Sequence, residues 1–258
     1  MKNTLSILSV LLAAVLLLAL AACGVGGSGR TTTAAPPQTT QGFKNPEESA
    51  PATPAAYEYE IRMAVDDAAA FEGGKILFKF SRPFFEETSA LAKTANGAYA
   101  REEAAFREKM RDTIDDTAEI MYGDWNYTEL SGASYEADGV ASFTTTGDWY
   151  MGGVHNSWIT GHTFDFNRGR ELKIGDVLQG DAAQITDALA ALFWAREGEA
   201  DRNADNEEEV RGQSGPDANF YLAADGVHVF YEPYVIPATQ NGVDILIPWT
   251  SERIRPLQ

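Results

Sequence analysis

Few residues in this chain are of the types that carry catalysis or bind metal ions. It has three histidines, and Cys23 is its single cysteine. His155 and His162 fall on opposite sides of a predicted strand, so they do not readily converge on one metal ion. A single cysteine excludes a disulfide within the chain and a metal site of several cysteines. We therefore predict no metal ion and no cofactor, and we expect a structural role for His162 among aromatic neighbours.

Motifs of known enzymes are not matched either. Residues 163–166 read Thr-Phe-Asp-Phe, close to the Thr-Phe-Asp-Asp signature of carbohydrate deacetylases, but Phe166 replaces the second aspartate and the companion His-x-x-x-His is absent. The chain also lacks a Gly-x-Ser-x-Gly elbow, a His-Glu-x-x-His pair and a P-loop. We predict that it is not an enzyme. A cell-wall hydrolase with carboxylate catalysis stays an alternative, which a cleft with two carboxyls of raised pKa would favour.

Aromatic residues in two segments are better candidates for a binding surface, because tyrosine and tryptophan bind proteins and sugars at little entropic cost. The first segment begins at Trp149 and contains a glycine pair that predicts a tight turn, and the second begins at a predicted strand end. The alternatives are that these aromatic residues are core and that His155 bonds a loop backbone. The candidate ligand-binding residues are Tyr150, Gly152, Gly153, His155, Tyr231, Pro233 and Tyr234.

The N-terminus has the layout of an export signal. Lys2 precedes an almost unbroken apolar run over residues 5–20, and Leu-Ala-Ala-Cys follows at residues 20–23. This ending resembles the bacterial lipobox, whose cysteine becomes the lipidated N-terminus. We predict a signal peptide over residues 1–22, a membrane anchor through lipid on Cys23, and a location outside the cytoplasm. An uncleaved transmembrane anchor is the alternative, because the run is almost long enough to span a bilayer.

A tether follows the predicted anchor. Residues 24–56 are rich in Gly, Ser, Thr, Ala, Pro and Gln and almost lack large apolar side chains, so they cannot bury enough surface to fold. We predict a disordered tether over residues 23–56 that holds a single domain, residues 57–258, on the order of 30 Å from the membrane.

The charge of the chain restricts its partners. Its formal net charge is −18 at pH 7. This acidity argues against nucleic acid and anionic lipid head groups as partners, and it favours cationic proteins, cations or neutral glycans. Acidity that serves solubility alone is the alternative.

Hydrophobic periodicity predicts an α+β domain. Alternation over residues 57–65 and 75–80 predicts two strands, the second ended by Pro83. Apolar residues every three or four positions over residues 96–122 predict a long helix, and Asp181 is placed to cap another.

The remaining pattern predicts strands joined by tight turns. Asp138-Gly139 is typical of a hairpin turn between two strands. Further strands are predicted at residues 155–166, 220–224, 227–231 and 243–247. The predicted fold is a largely antiparallel sheet with a long helix in the N-terminal half and a second helix in the C-terminal half. Its N-terminal lobe spans residues of about 57–150 and its C-terminal lobe about 151–258.

Three segments together resemble a known family. They read Tyr-Met-Gly-Gly-Val-His at residues 150–155, Phe-Asp-Phe and Gly-Arg-Glu-Leu-Lys-Ile-Gly-Asp-Val-Leu within 164–178, and Phe-Tyr-Leu and Tyr-Glu-Pro-Tyr-Val-Ile-Pro within 220–237. They resemble the paired domains of unknown function in the extracellular part of RsiV-type anti-sigma factors, which respond to lysozyme. The same pair precedes the catalytic domain of PdaC-type peptidoglycan deacetylases. The likeness covers nearly all of residues 57–255.

The resemblance implies a role at the cell envelope. The family includes a lysozyme-binding sensor and a non-catalytic module of a cell-wall enzyme. An anti-sigma role is not expected here, because a lipid-anchored signal replaces the cytoplasmic sigma-binding segment, and the deacetylase domain is lacking. Where the family commonly has Gly-Gly-Ala-His-Pro, this chain has Gly-Gly-Val-His-Asn at residues 152–156. We expect a non-catalytic binding or sensing lipoprotein that recognises lysozyme or a peptidoglycan fragment; a structural lipoprotein is a further alternative.

Overall fold

A six-stranded sheet forms the first part of the fold in the computed structural model, which describes residues 57–117 and 123–256. Its strands follow chain order: β1 (Tyr59–Phe71), β2 (Gly74–Phe85), β3 (Trp125–Ala137), β4 (Val140–Met151), β5 (Val154–Asp165) and β6 (Arg170–Glu171). Neighbouring strands are antiparallel except for β2 and β3, which are parallel. The prediction of an α+β fold with a largely antiparallel sheet is confirmed.

The parallel pair needs a crossover, because the chain must return to the end of the sheet where β2 began. A long helix, α1 (Ala90–Thr117), makes this connection. Phe106 is buried against the sheet, and Met110 and Ile114 pack beside it, so the predicted apolar stripe faces the core. Residues 118–122 of the predicted helix lie outside the described residues.

The start of α1 was not evident from periodicity, because a polar residue occupies an inward position. The Asn96 side chain is buried and bonds the backbone of Phe85 twice: it accepts from the amide nitrogen at 2.8 Å and donates to the carbonyl at 2.8 Å. The helix therefore begins at Ala90 rather than near Asn96. These bonds fasten the first turns of the helix to the end of β2.

The prediction that Pro83 ends β2 is wrong. The strand continues to Phe85, and Pro83 lies opposite Ile61 of β1. Because β3 pairs with β2 only up to Phe80, the strand has a ladder on one side alone at Pro83. Proline is tolerated at such positions, where the missing N–H removes no ladder bond on the open side.

A three-stranded antiparallel sheet and three helices form the second part of the fold. They are α2 (Ile174–Val177), α3 (Ala182–Glu197), α4 (Ala204–Gln213), β7 (Phe220–Ala223), β8 (Gly226–Tyr231) and β9 (Val243–Pro248). The predicted cap is present, since Asp181 accepts from the amide of Gln184 and the Gln184 side chain accepts from the amide of Asp181. Leu189 and Phe193 of α3 pack on Val229 in one core.

The two sheets meet along β4 and β5. Asn219 accepts from the amide of Gly161 at 2.9 Å and donates to the carbonyl of Ile159, and the Ser142 hydroxyl accepts from the amide of Leu222 at 3.0 Å. A side chain at Gly161 would collide with the carbonyl of β7, so glycine permits this approach. The first sheet ends with β6, and the second begins with β7.

The described residues contain no helix that is both long and apolar enough to cross a membrane. The predicted signal peptide, Cys23 and the predicted tether lie outside the described residues.

Candidate binding cleft

Strand alternation divides the first candidate segment between two faces of the sheet. In the register of β4 and β5, Trp149 pairs with Asn156 and Tyr150 pairs with His155. Because successive side chains point to opposite faces, Trp149 and Asn156 share one face and Tyr150 and His155 the other. The Trp149 face is the one that α1 covers, since Trp149 packs in the same core cluster as Phe106.

A cleft of about 830 Å³ opens on the Trp149 face. The sheet forms its floor, and α1 and the loop after β8 contribute its walls. We call it the aromatic cleft, after the rings on its floor and loop wall. Its lining includes Tyr127, Trp149 and Trp158 from the sheet, Lys109, Asp112 and Asp116 from α1, and Glu232, Pro233 and Tyr234 from the loop.

A glycine on the neighbouring strand sets the position of one floor residue. Gly147 pairs with Trp158 across β4 and β5, and a Cβ at Gly147 would overlap the Trp158 indole. The indole therefore lies over the bare backbone of β4. The Tyr127 ring packs beside it, with centroids 5.6 Å apart. These contacts fix the floor before any ligand arrives.

The loop wall is held by an unusual backbone conformation and by an amide contact. Tyr234 has a φ of 62°, which is uncommon for a residue other than glycine. Its ring is 50% exposed, and its hydroxyl lies 3.1 Å from the side-chain amide of Asn156. In the amide orientation that satisfies its hydrogen bonds, the Asn156 side-chain nitrogen donates to the carbonyls of His155 and Gln240 at 3.0 Å each. Asn156 thus fastens the loop to β5.

Carboxyl groups surround the aromatic floor. Glu232 lies at the mouth of the cleft, where the surrounding walls displace enough water to raise the pKa of its carboxyl, although the residue keeps contact with solvent. On the same face of the sheet, burial raises the pKa of Glu129, which accepts a hydrogen bond from the Tyr127 hydroxyl at 3.0 Å. In the described part of the chain, no group of three histidine, cysteine or carboxylate side chains is arranged to hold a metal ion.

A second, smaller concavity of about 260 Å³ continues along β5 and shares Thr160 and Glu232 with the aromatic cleft. His162 lines it. The ring nitrogens of His162 lie 2.6 Å from Glu102 of α1 and 2.7 Å from Glu171 of β6. Burial alone would lower the pKa of His162, but the two carboxylates outweigh it and raise the pKa to about 9.

The His162 ring also contacts aromatic residues, as the sequence predicted. It meets Tyr99 edge-on with centroids 5.1 Å apart and stacks on Phe164 at 6.1 Å. The protonated ring therefore ties α1 to β5 and β6 and holds the helix wall against the sheet.

Five of the seven candidate residues lie away from the cleft lining: Tyr150, Gly152, Gly153, His155 and Tyr231. Tyr150 and His155 point to the other face, where His155 bonds Asp148. Gly152 and Gly153 form the predicted tight turn with φ values of 56° and 104°.

Tyr231 needs correction. Its ring is 0% exposed and its hydroxyl bonds Ser214 at 2.8 Å, so it belongs to the core of the C-terminal part and is closed to a ligand. The sequence left this possibility open as an alternative. Pro233 and Tyr234 do line the cleft.

Sequence reasoning missed the helix wall. Lys109, Asp112 and Asp116 fall at positions that share one face of α1, next to the apolar stripe. A polar edge beside an apolar stripe is common in surface helices, so it gave no specific signal. Trp158 lies on the same face of β5 as His162 and forms part of the cleft floor.

Comparison with known proteins gives a fold-level likeness. A scan against protein-family models and a search of curated proteins found no match. Among solved structures, the chain is similar to a DUF3298 family member from Bacteroides fragilis NCTC 9343, at 20% identity and a TM-score of 0.48, over 78% of this chain and 94% of that chain. It is also similar to a DUF3298 family protein from Pseudomonas aeruginosa PAO1, at 15% identity and a TM-score of 0.47, over 79% and 96% of the two chains.

Proposed function

We propose that this chain is an exported, lipid-anchored binding protein of the bacterial cell envelope, without catalytic activity, whose aromatic cleft receives a peptidoglycan fragment. The observation that carries the proposal is the cleft floor, where Tyr127, Trp149 and Trp158 present ring surface between two polar walls. Sugar rings have apolar C–H faces that pack on aromatic side chains, while their hydroxyls bond carboxylates and amides.

The dimensions of the cleft support a small ligand or a short chain. Its volume of about 830 Å³ is within the usual range of ligand pockets, roughly 300–1,000 Å³. The smaller concavity extends it along β5. An elongated groove with its floor on a rigid sheet suits a linear glycan, because little structure has to be ordered on binding.

The cellular location in the proposal is inferred from the sequence. Lys2, the apolar run and the lipobox-like ending at Cys23 support export and lipid attachment. The predicted tether would let the domain reach the wall from the membrane.

A binding measurement with matched variants tests the proposal. Calorimetric titration of the full chain in detergent with soluble, muramidase-derived peptidoglycan fragments is expected to show saturable binding. Trp149→Ala is expected to weaken it about tenfold or more, because it removes a ring from the floor. Tyr150→Ala is the control, because the adjacent residue is exposed on the opposite face.

Two results would contradict the glycan proposal. The first is an affinity that Trp149→Ala and Tyr150→Ala leave equally unchanged while both variants keep the wild-type melting temperature. The second is release of shortened fragments during the titration, detected by mass spectrometry, which would favour the hydrolase alternative and direct attention to Glu232.

Lysozyme is the second candidate ligand, favoured by the net charge of −18. A basic protein would be steered to this chain by long-range attraction, which salt screens. Binding to immobilised lysozyme that is lost at moderate salt, without any binding of wall fragments, would replace the glycan by lysozyme. Binding of neither ligand would remove both candidates.

A further inference from the structure

Charge around the aromatic cleft is strongly unbalanced. Asp112 and Asp116 lie one turn apart on the helix wall, and Glu232 lies on the loop wall. Among the described residues that line the cleft, Lys109 is the only basic one. Carboxylates on both sides of a concave aromatic floor create a negative potential in the place where a ligand would lie.

These carboxylates are available to a ligand. Within the described residues, the side chains of Asp112, Asp116 and Glu232 form no ion pair or hydrogen bond with another side chain. Elsewhere on the surface, comparable carboxylates are engaged: Glu103 pairs with two arginines and Asp176 with one. The negative charges of the cleft carboxylates are therefore not neutralised by ion pairs within the fold.

Aromatic rings and carboxylates together favour a cation. The faces of tryptophan and tyrosine attract a positive charge within about 6 Å, and the attraction increases when water is displaced. The ammonium group of an amino sugar satisfies both features, because it is attached directly to a ring that packs on the floor. A neutral N-acetyl group at the same position carries no positive charge and therefore forms no ion pair with the carboxylates.

We infer that the aromatic cleft selects glycan that carries free amino groups, that is, de-N-acetylated amino sugar, over fully N-acetylated glycan. This inference rests on the proposed glycan-binding function. The ammonium of a peptide attached to the glycan has the same charge, but a flexible chain carries it and not the ring that meets the floor. The amine that the cleft recognises is therefore that of the sugar.

The experiment compares two oligosaccharides of equal length, the tetramer of glucosamine and the tetramer of N-acetylglucosamine, by calorimetry with the full chain in detergent. At about 0.01 M salt, where charge screening is weak, the glucosamine tetramer is expected to bind about tenfold more tightly. At about 1 M salt, where the Debye length is about 3 Å, the preference is expected to disappear.

Charge variants locate the source of the preference. Asp116→Asn is expected to reduce the preference about threefold, and the Asp112→Asn/Asp116→Asn double variant is expected to remove most of it. Asp115→Asn is the matched control, since the neighbouring aspartate carries the same charge on the same helix but does not line the cleft.

The outcomes separate this inference from the proposed function. Equal binding of both tetramers, weakened by Trp149→Ala, would overturn the preference and keep glycan binding. If the chain binds neither tetramer and no wall fragment, both the amino-sugar preference and the proposed glycan binding are overturned. Tight binding of a free wall peptide that depends on Asp116, without binding of the glucosamine tetramer, would assign the cleft to the peptide amine instead.

Discussion

The His162 cluster predicts a pH dependence of stability. Its ring lies between Glu102 and Glu171 at hydrogen-bond distance, with a side chain only 16% exposed. The cluster joins α1 to β5 and β6, which are far from α1 in sequence. Loss of its positive charge would leave two carboxylates close together without their shared partner.

The magnitude follows from the pKa. Although burial lowers the pKa of His162, the bonds to Glu102 and Glu171 raise it overall, from 6.5 to about 9. At about 1.4 kcal/mol for each pKa unit, the protonated ring stabilises the native state by about 3 kcal/mol. Because the folded-state pKa is raised, this stabilisation is complete below the unfolded-state value of 6.5 and is lost as the pH rises through about 9.

Urea unfolding between about pH 6 and about pH 9.5 measures this contribution. The free energy of unfolding of the wild type is expected to fall by about 3 kcal/mol across the range. His162→Gln is expected to be less stable at the acid end and to lose most of the pH dependence. His155→Gln, which changes a more exposed histidine on the other face, serves as control. A wild-type profile that stays flat, or a His162→Gln profile with the wild-type slope, would refute the reasoning.

Three further predictions concern the scaffold. Gly147→Ala is expected to displace the Trp158 indole, lowering both the melting temperature and the affinity for wall fragments; unchanged affinity would contradict the assigned floor. Asn96→Ala is expected to cost about 2–4 kcal/mol in urea unfolding, because two buried backbone groups of Phe85 lose their partner; a loss below about 1 kcal/mol would contradict this. Glu129→Gln is expected to raise the melting temperature at neutral pH and not below the carboxyl pKa, since burial makes its charge unfavourable; a lower melting temperature at neutral pH would argue against it.

The sequence predicted the class of fold from features that are local. Alternation, the Asp138-Gly139 turn and the Asp181 cap each depend on a few neighbouring residues, and the structure contains all of them. The predictions from sequence were wrong where a residue that is distant in sequence determines the local structure. Asn96 is polar and yet faces inward, because Phe85 supplies its partners. Pro83 stays in a strand because the pairing of β2 with β3 ends at Phe80.

The candidate site shows the same limit. Tyr231 and Tyr234 were equally good candidates in the sequence, but their surroundings differ. Tyr231 is buried and bonds Ser214, whereas Tyr234 is exposed beside Asn156. Nothing in the spacing of the second segment distinguishes them, because the chain leaves the strand between them and the loop conformation sets their directions.

What the sequence by itself determined is which residues share a face of each element, because side-chain alternation and helical spacing are properties of the local backbone. It placed His155 and His162 on opposite sides of β5 in this way. Only the tertiary structure decided which face becomes a cleft, because α1 and the loop after β8 reach that face through contacts that are remote in sequence. A concave surface needs walls from several elements, and the packing that brings them together is not encoded in the pattern of any one.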